Sequence, residues 1–150
     1  MSIMIQVQVY ADVNPTESRD KVYSALSQLF PEIDFGFEEL SEQRGRFSGE
    51  GDIHALRYIH YLIREEEIID TSRTRLNVGL SDDGLSTSFI INKQVATVGR
   101  LNYPAQEEPL GSVNISIRAD SSNELTRCFD WLTPPTENGI PDFEMDIRDV

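Results

Sequence analysis

Ile3-Met4-Ile5-Gln6-Val7-Gln8-Val9-Tyr10-Ala11-Asp12 runs, after Val13, directly into Asn14-Pro15-Thr16-Glu17. Ile3, Ile5, Val7, Val9 and Ala11 alternate with Met4, Gln6, Gln8, Tyr10 and Asp12. A period of two describes a strand with one face on a core. The tetrapeptide that follows reads as a helix start. Asn14 can cap it, Pro15 suits the first helical position, and Glu17 stands where a capping box closes. Val22, Leu26, Leu29 and Phe30 supply the apolar stripe of that helix, and Pro31 stops it.

Outward from this unit, residues 33–40 and 44–48 read as two short strands around a polar turn. Gly49-Glu50-Gly51-Asp52 reads as a break, with Asp52 capping a second helix that runs to about Arg64. Residues 68–76 form another helical segment with Ile69, Ser72 and Leu76 on one face, either continuous with the second helix or separate from it. Asp82-Asp83-Gly84 is a turn ahead of a strand at 85–91. Val113, Ile115 and Ile117 mark a further strand. Ser121 and Glu124 pair as caps of a last helix containing Leu125, Phe129 and Leu132, which Thr133-Pro134-Pro135 ends. In the tail, Phe143, Met145 and Ile147 alternate with acids, as in a short edge strand. Strands and helices intermix without regular βαβ units. The expected fold is therefore α+β, with helices packed as one layer on a mainly antiparallel sheet.

The 150 residues suit a single domain with its own core. Composition is that of a globular chain, 39% apolar and 26% charged, rather than a disordered one. No apolar run approaches the roughly 18 residues that span a bilayer. The first residues lack a basic region and a long apolar run, so neither a membrane span nor a signal peptide is expected. Cys128, the single cysteine, excludes an internal disulfide and fits a reducing compartment, so a cytoplasmic location is expected.

Twenty-six acids oppose thirteen bases, a net charge of −13. That charge repels nucleic acid at long range. A salt-rich cytoplasm, which an acidic chain with only two lysines also suits, screens the repulsion away. The distribution is uneven. Residues 71–106 hold four bases (Arg73, Arg75, Lys93, Arg100) and two acids, and no acid stands between Gly84 and Gln106. A buried strand explains the lack of charge at 85–91 but not at the polar, turn-rich stretch 93–106.

Catalytic and metal chemistry find little support. His54 and His60 are six residues apart on a helix, not the three or four that place metal ligands on one face. Gly45, Gly49 and Gly51 lack the lysine of a phosphate loop. Cys128, beside Phe129 on an apolar helix face, reads as a buried thiol. No metal and no cofactor is indicated, and no enzyme is expected. One pattern suits nucleic acid: Arg57, Tyr61 and Arg64 fall at i, i+4 and i+7, cations beside an aromatic ring. The alternative has Tyr61 facing the core while the arginines pair with nearby glutamates. Arg73 likewise has Asp70 three residues before it as a local partner.

Several segments together resemble an archaeal family of small proteins labelled RNA-binding, over nearly the whole chain. They are Val13-Asn14-Pro15-Thr16-Glu17, Phe30-Pro31, Ile69-Asp70-Thr71-Ser72-Arg73, and Asn92-Lys93-Gln94-Val95-Ala96 through Val98-Gly99-Arg100. Pro109-Leu110-Gly111 and Trp131-Leu132, followed by Pro134-Pro135-Thr136 and Gly139, complete the set. Ser72 and Val95 stand where the family pattern has alanine. The resemblance implies a fold similar to the large-subunit ribosomal protein that carries 5S RNA. It also implies association, in some genomes by fusion, with a nucleotide-kinase-like P-loop protein.

The resulting expectation is a non-enzymatic protein binding structured RNA or the ribosome. Arg73, Lys93 and Arg100 are expected on phosphates and Asn92 and Gln94 on sugar or base edges, with Arg57 and Arg64 extending the surface. Three alternatives stay open. One is an interaction module for the nucleotide-kinase-like partner. Another is an enzyme on a phosphorylated small molecule, which needs a concave pocket around Lys93 with Asp70 as its acid. The last makes Asn92-Lys93-Gln94 a structural turn whose lysine satisfies helix-end carbonyls.

Overall fold

Val7, Val9, Ala11 and Val13 turn inward from β1 (Gln6–Val13) while Gln6, Gln8 and Tyr10 are exposed, so the alternation in the sequence is the burial pattern of the strand. The computed structural model describes residues 5–104 and 111–150. Ile3 and Met4 of the expected strand, and Gln106, Pro109 and Leu110, lie outside the described residues.

Four further strands, β2 (Gly36–Ser41), β3 (Arg44–Gly51), β4 (Ser86–Asn92) and β5 (Ser112–Arg118), join β1 in one antiparallel sheet. Their order is β2-β3-β1-β5-β4, with β1 at the centre. Register sets the two faces. Gly49, Val9, Ile115 and Phe89 lie opposite one another across four strands and face inward. Ser48, Tyr10, Asn114 and Ile90 form the adjacent row and face outward.

Helices α1 (Arg19–Leu29), α2 (Arg57–Glu65), α3 (Ile69–Val78), the short α4 (Lys93–Ala96) and α5 (Ser122–Leu132) cover the inward face. Leu26 and Leu29 of α1, Ile59 and Ile63 of α2, Leu76 of α3, and Leu125 and Phe129 of α5 join the inward strand residues in one core. Each such side chain, fully buried, contributes about 1.5–3 kcal/mol. This is the expected two-layer α+β fold.

The structure settles or revises several local readings. The first helix begins at Arg19, capped by Ser18, whose Oγ accepts from Lys21 N at 3.3 Å. Asn14 to Glu17 forms a separate turn instead, because the Glu17 carboxylate is drawn back to Asn14 N and Nδ2, both at 3.0 Å. The second helical region is two helices, α2 and α3, separated where Glu67 takes a left-handed φ of 56°. Strand β3 runs on through Gly51 rather than breaking at Gly49. Gly49 serves packing there: a Cβ on it would stand 2.4 Å from Ile33 Cγ2. Gly79 is required more strictly, since a Cβ would come within 1.8 Å of Ser88 O. The closeness lets 79–81 run along the outer edge of β4, with Ser88 N donating to Gly79 O at 3.3 Å and Ser81 N to Ser86 O at 2.8 Å.

In the tail, the expected strand at Phe143 to Ile147 does not form. A two-stranded hairpin precedes it, β6 (Thr136–Glu137) with β7 (Ile140–Pro141). Asn138 and Gly139, at φ 56° and 79°, make the two-residue turn that favours such a hairpin. Ser121 caps α5 by accepting from Glu124 N at 3.2 Å. The Glu124 carboxylate does not complete a capping box; it is buried with no hydrogen-bond partner among the described residues.

Candidate nucleic-acid interface

The residues expected to bind RNA do not share one exposed face. Lys93 is 1% exposed. Its ammonium group donates to Asp12 O at 2.6 Å and to Glu17 Oε1 at 2.8 Å. A buried ammonium ion is tolerable only when paired and hydrogen-bonded, and Glu17, whose side chain is 6% exposed, supplies the opposite charge. Asn92 is the cap of α4, accepting from Val95 N at 2.8 Å. Gln94 is exposed and reaches Glu17 Oε2 at 3.4 Å. Asn92-Lys93-Gln94 is thus a structural turn that ties the strand-β4 end to the turn before α1. Lys93 is structural, as the alternative reading had it, but the carbonyl it satisfies belongs to strand β1 and not to a helix end.

Arg64 and Arg73 form a second structural group. The last carbonyls of a helix lack intrahelical partners and carry partial negative charge. At the end of α5 these carbonyls are taken up by arginines. Arg64 donates to Leu132 O and Trp131 O and pairs with Glu144, Nη2 to Oε1 at 2.6 Å. Arg73 donates to Thr133 O and pairs with Asp130 at 3.1 Å, not with the nearby Asp70. Asp70 accepts instead from Thr136 Oγ1. Beside them His60 stacks on Trp131, centroids 4.6 Å apart and planes at 23°. Loss of hydration, and then the Arg64 charge, hold its imidazole down at about 4.

These bonds join four of the segments that carried the family resemblance. Val13 to Glu17 is tied to Asn92 to Gln94, and Ile69 to Arg73 is tied to Trp131 through Thr136. Pairs far apart in sequence are adjacent in space, and they hold the frame. Arg57 and Arg100 remain exposed. Arg100 Nε lies 3.5 Å from Glu66 Oε1, and Arg57 has no ion-pair partner among the described residues. Tyr61 is 52% exposed and stacks on Tyr58 at 5.7 Å, so it does not face the core.

A polar and aromatic surface lies on the outward face of the sheet, which sequence reasoning passed over. Gln8, Tyr10 and Asp12 of β1 stand between Glu50, Ser48 and Arg46 of β3 on one side and Ser116 and Asn114 of β5 on the other. The Arg46 guanidinium lies 4.5 Å from the Tyr10 ring centroid and is held by Asp12, Nε to Oδ1 at 2.6 Å. On the far side of Tyr10 a groove of about 370 Å³ follows β5 and β4 to Val78 and Pro104. The signal for this surface was in the first strand: the polar half of the alternation names one face as surely as the apolar half names the other. Among the described residues no cluster of His, Cys, Asp and Glu could hold a metal ion, and no helix is long and apolar enough to cross a membrane.

Fold and register together define a two-layer α+β protein whose second sheet face is left uncovered among the described residues. A family model described as RNA binding matches residues 6–120, and the chain belongs to that family, the archaeal UPF0201 proteins. The UPF0201 protein of Methanosarcina acetivorans is 45% identical, over 96% of this chain and 93% of its own length. The crystal structure of a UPF0201 protein from Methanococcus jannaschii superposes with a TM-score of 0.83 at 28% identity, covering 92% of this chain and 99% of that one. A relative in Archaeoglobus fulgidus, named UPF0200/UPF0201, is 29% identical over 95% of this chain but only 41% of its own length.

Proposed function

We propose that this protein binds structured RNA without acting on it chemically, alone or in association with the ribosome. The observation that carries the reading is the open face of the sheet, where an exposed tyrosine on the central strand stands among amide, hydroxyl and guanidinium groups, with the Asp12 carboxylate taken up by Arg46 and Glu50 one row away. Such a face can stack unpaired bases and hydrogen-bond their edges. The family match described as RNA binding covers all five strands and ends before α5. Arg57, Gln94 and Arg100 belong to this proposal as outlying contacts to phosphate and sugar. Arg64, Arg73, Asn92 and Lys93 contribute by holding the frame. The test is a pulldown from cells at their own salt concentration, with and without nuclease, followed by binding of the recovered RNA to purified protein. Affinity should fall as salt rises. Absence of any RNA in the untreated sample, with the protein folded, removes the reading.

One observation favours a second reading, a module docking on a partner such as a nucleotide-kinase-like protein. The Archaeoglobus relative carries a UPF0200 name alongside UPF0201 and extends well beyond the region matched here. This reading expects a protein to survive nuclease treatment in the same pulldown.

A further inference from the structure

We propose that the groove beside Tyr10 is a subsite for one unpaired nucleotide of a single-stranded RNA segment; the inference rests on the RNA-binding reading and names the part of the RNA that is read. Its position is set by the edge of the sheet. The segment 79–81 covers the outer edge of β4 at Ser86 and Ser88, and Asn102 O accepts from Asn92 N at 2.7 Å. Between these two supports the groove opens beside Ile90 and is walled by Val78 and Pro104.

Its chemistry is unlike the rest of the molecule. In a chain of net charge −13, the described residues lining the groove include one arginine, Arg75, and no carboxylate. Arg75 sits in the last turn of α3 with no ion-pair partner among the described residues. Arg75 thus gives the groove a guanidinium group free of an ion pair among the described residues, complementary to a phosphate. Tyr10 is 38% exposed and Val78 is 74% exposed, and each gives the groove apolar surface against which a planar ring can pack. Ser88, Asn114 and Ser116 bring hydroxyl and amide groups capable of both donating to and accepting from a base edge. A volume of about 370 Å³ matches one nucleotide and is too small for a duplex. An A-form helix also keeps its bases stacked, out of reach of a ring lying on a sheet. The occupant is a nucleotide already unpaired, as in a loop, bulge or tail.

The experiment compares fluorescence anisotropy for a single-stranded oligoribonucleotide and a blunt RNA duplex, using wild type, Tyr10→Ala, Arg75→Gln, and the double variant Arg57→Ala/Arg100→Ala. An NMR titration with a nucleoside monophosphate follows the amides of β1, β4 and β5. Tyr10 is exposed and Arg75 half-buried, and circular dichroism checks that each variant is folded. The proposal expects single strands to bind better than duplex, and Tyr10→Ala and Arg75→Gln each to weaken single-strand binding by roughly 10-fold. The nucleotide should shift amides around Tyr10, Ser88 and Asn114. RNA binding that Tyr10→Ala and Arg75→Gln leave unchanged, with Arg57→Ala/Arg100→Ala weakening it, overturns the groove while the RNA-binding reading stands. Nucleotide-induced shifts in the groove without affinity for any RNA overturn the RNA reading and, with it, the assignment of the groove to a nucleotide of an RNA strand. No shift and no RNA affinity overturn both.

Discussion

Replacing Lys93 by methionine separates a structural lysine from a phosphate-binding one. The methionine keeps most of the buried stem and removes the charge. Glu17 Oε1 then loses a bond of 2.8 Å, Asp12 O loses one of 2.6 Å, and a carboxylate that is 6% exposed is left without its cation. Removing one member of a buried pair costs about 3–5 kcal/mol, because the remaining charge stays out of water. With a urea slope near 2 kcal/mol per molar, the unfolding midpoint drops by about 2 M. Urea denaturation followed by circular dichroism and by fluorescence of Trp131, the single tryptophan, reads this directly. The double variant Lys93→Met/Glu17→Gln removes both charges and should regain at least half of the loss, since the amide oxygen that replaces the carboxylate can still accept from Asn14. Where the single variant remains folded, its RNA affinity should equal that of wild type. Unchanged stability in Lys93→Met together with a clear fall in RNA affinity would falsify the structural assignment of this lysine.

Three other outcomes follow from the same geometry. Arg73→Ala frees Thr133 O and Asp130 and should cost about 1–3 kcal/mol, with faster hydrogen exchange confined first to the last turn of α5; uniform exchange would count against the clamp. His60, held at about 4 by burial against an ordinary value near 6.5, favours the neutral ring in the fold, so the unfolded chain takes up the proton first. The stability it contributes is complete above about pH 6.5 and is lost as pH falls toward 4, about 1–2 kcal/mol after allowing for its partial exposure. His60→Phe keeps the stack on Trp131 and should lose less stability than wild type between pH 7 and 4.5; an equal loss in both proteins refutes the assignment. Cys128 is fully buried, its thiol pushed up to about 12 by burial and then by Glu124, so Ellman's reagent at pH 8 should label it only after denaturant is added.

Much of the fold was legible because it depends on local periodicity. Val7, Val9 and Ala11 had to face one way, Leu26 and Leu29 had to share a stripe, and Gly84 stands in a turn where φ is 71°. The small hairpin at Asn138-Gly139 carries an equally local signal, since Asn-Gly favours the two-residue turn that joins its strands. The charges were not legible in the same way. Whether Arg73 meets Asp70, three residues before it, or Asp130, 57 residues after it, depends on where α5 ends in space. Local spacing carries no information about that.

The alternation of the first strand, and the stripes that follow it, were enough to specify an α+β protein with one face of its sheet on a core, because burial of apolar side chains follows from their period alone. Only the tertiary structure decided that Lys93 is inside and that Arg64 and Arg73 cap a helix. It also left Tyr10 at the centre of an open face beside a groove with no carboxylate among its described residues. A charge goes where a partner or water is available, and in this chain the partners of all three cations lie between 57 and 81 residues away.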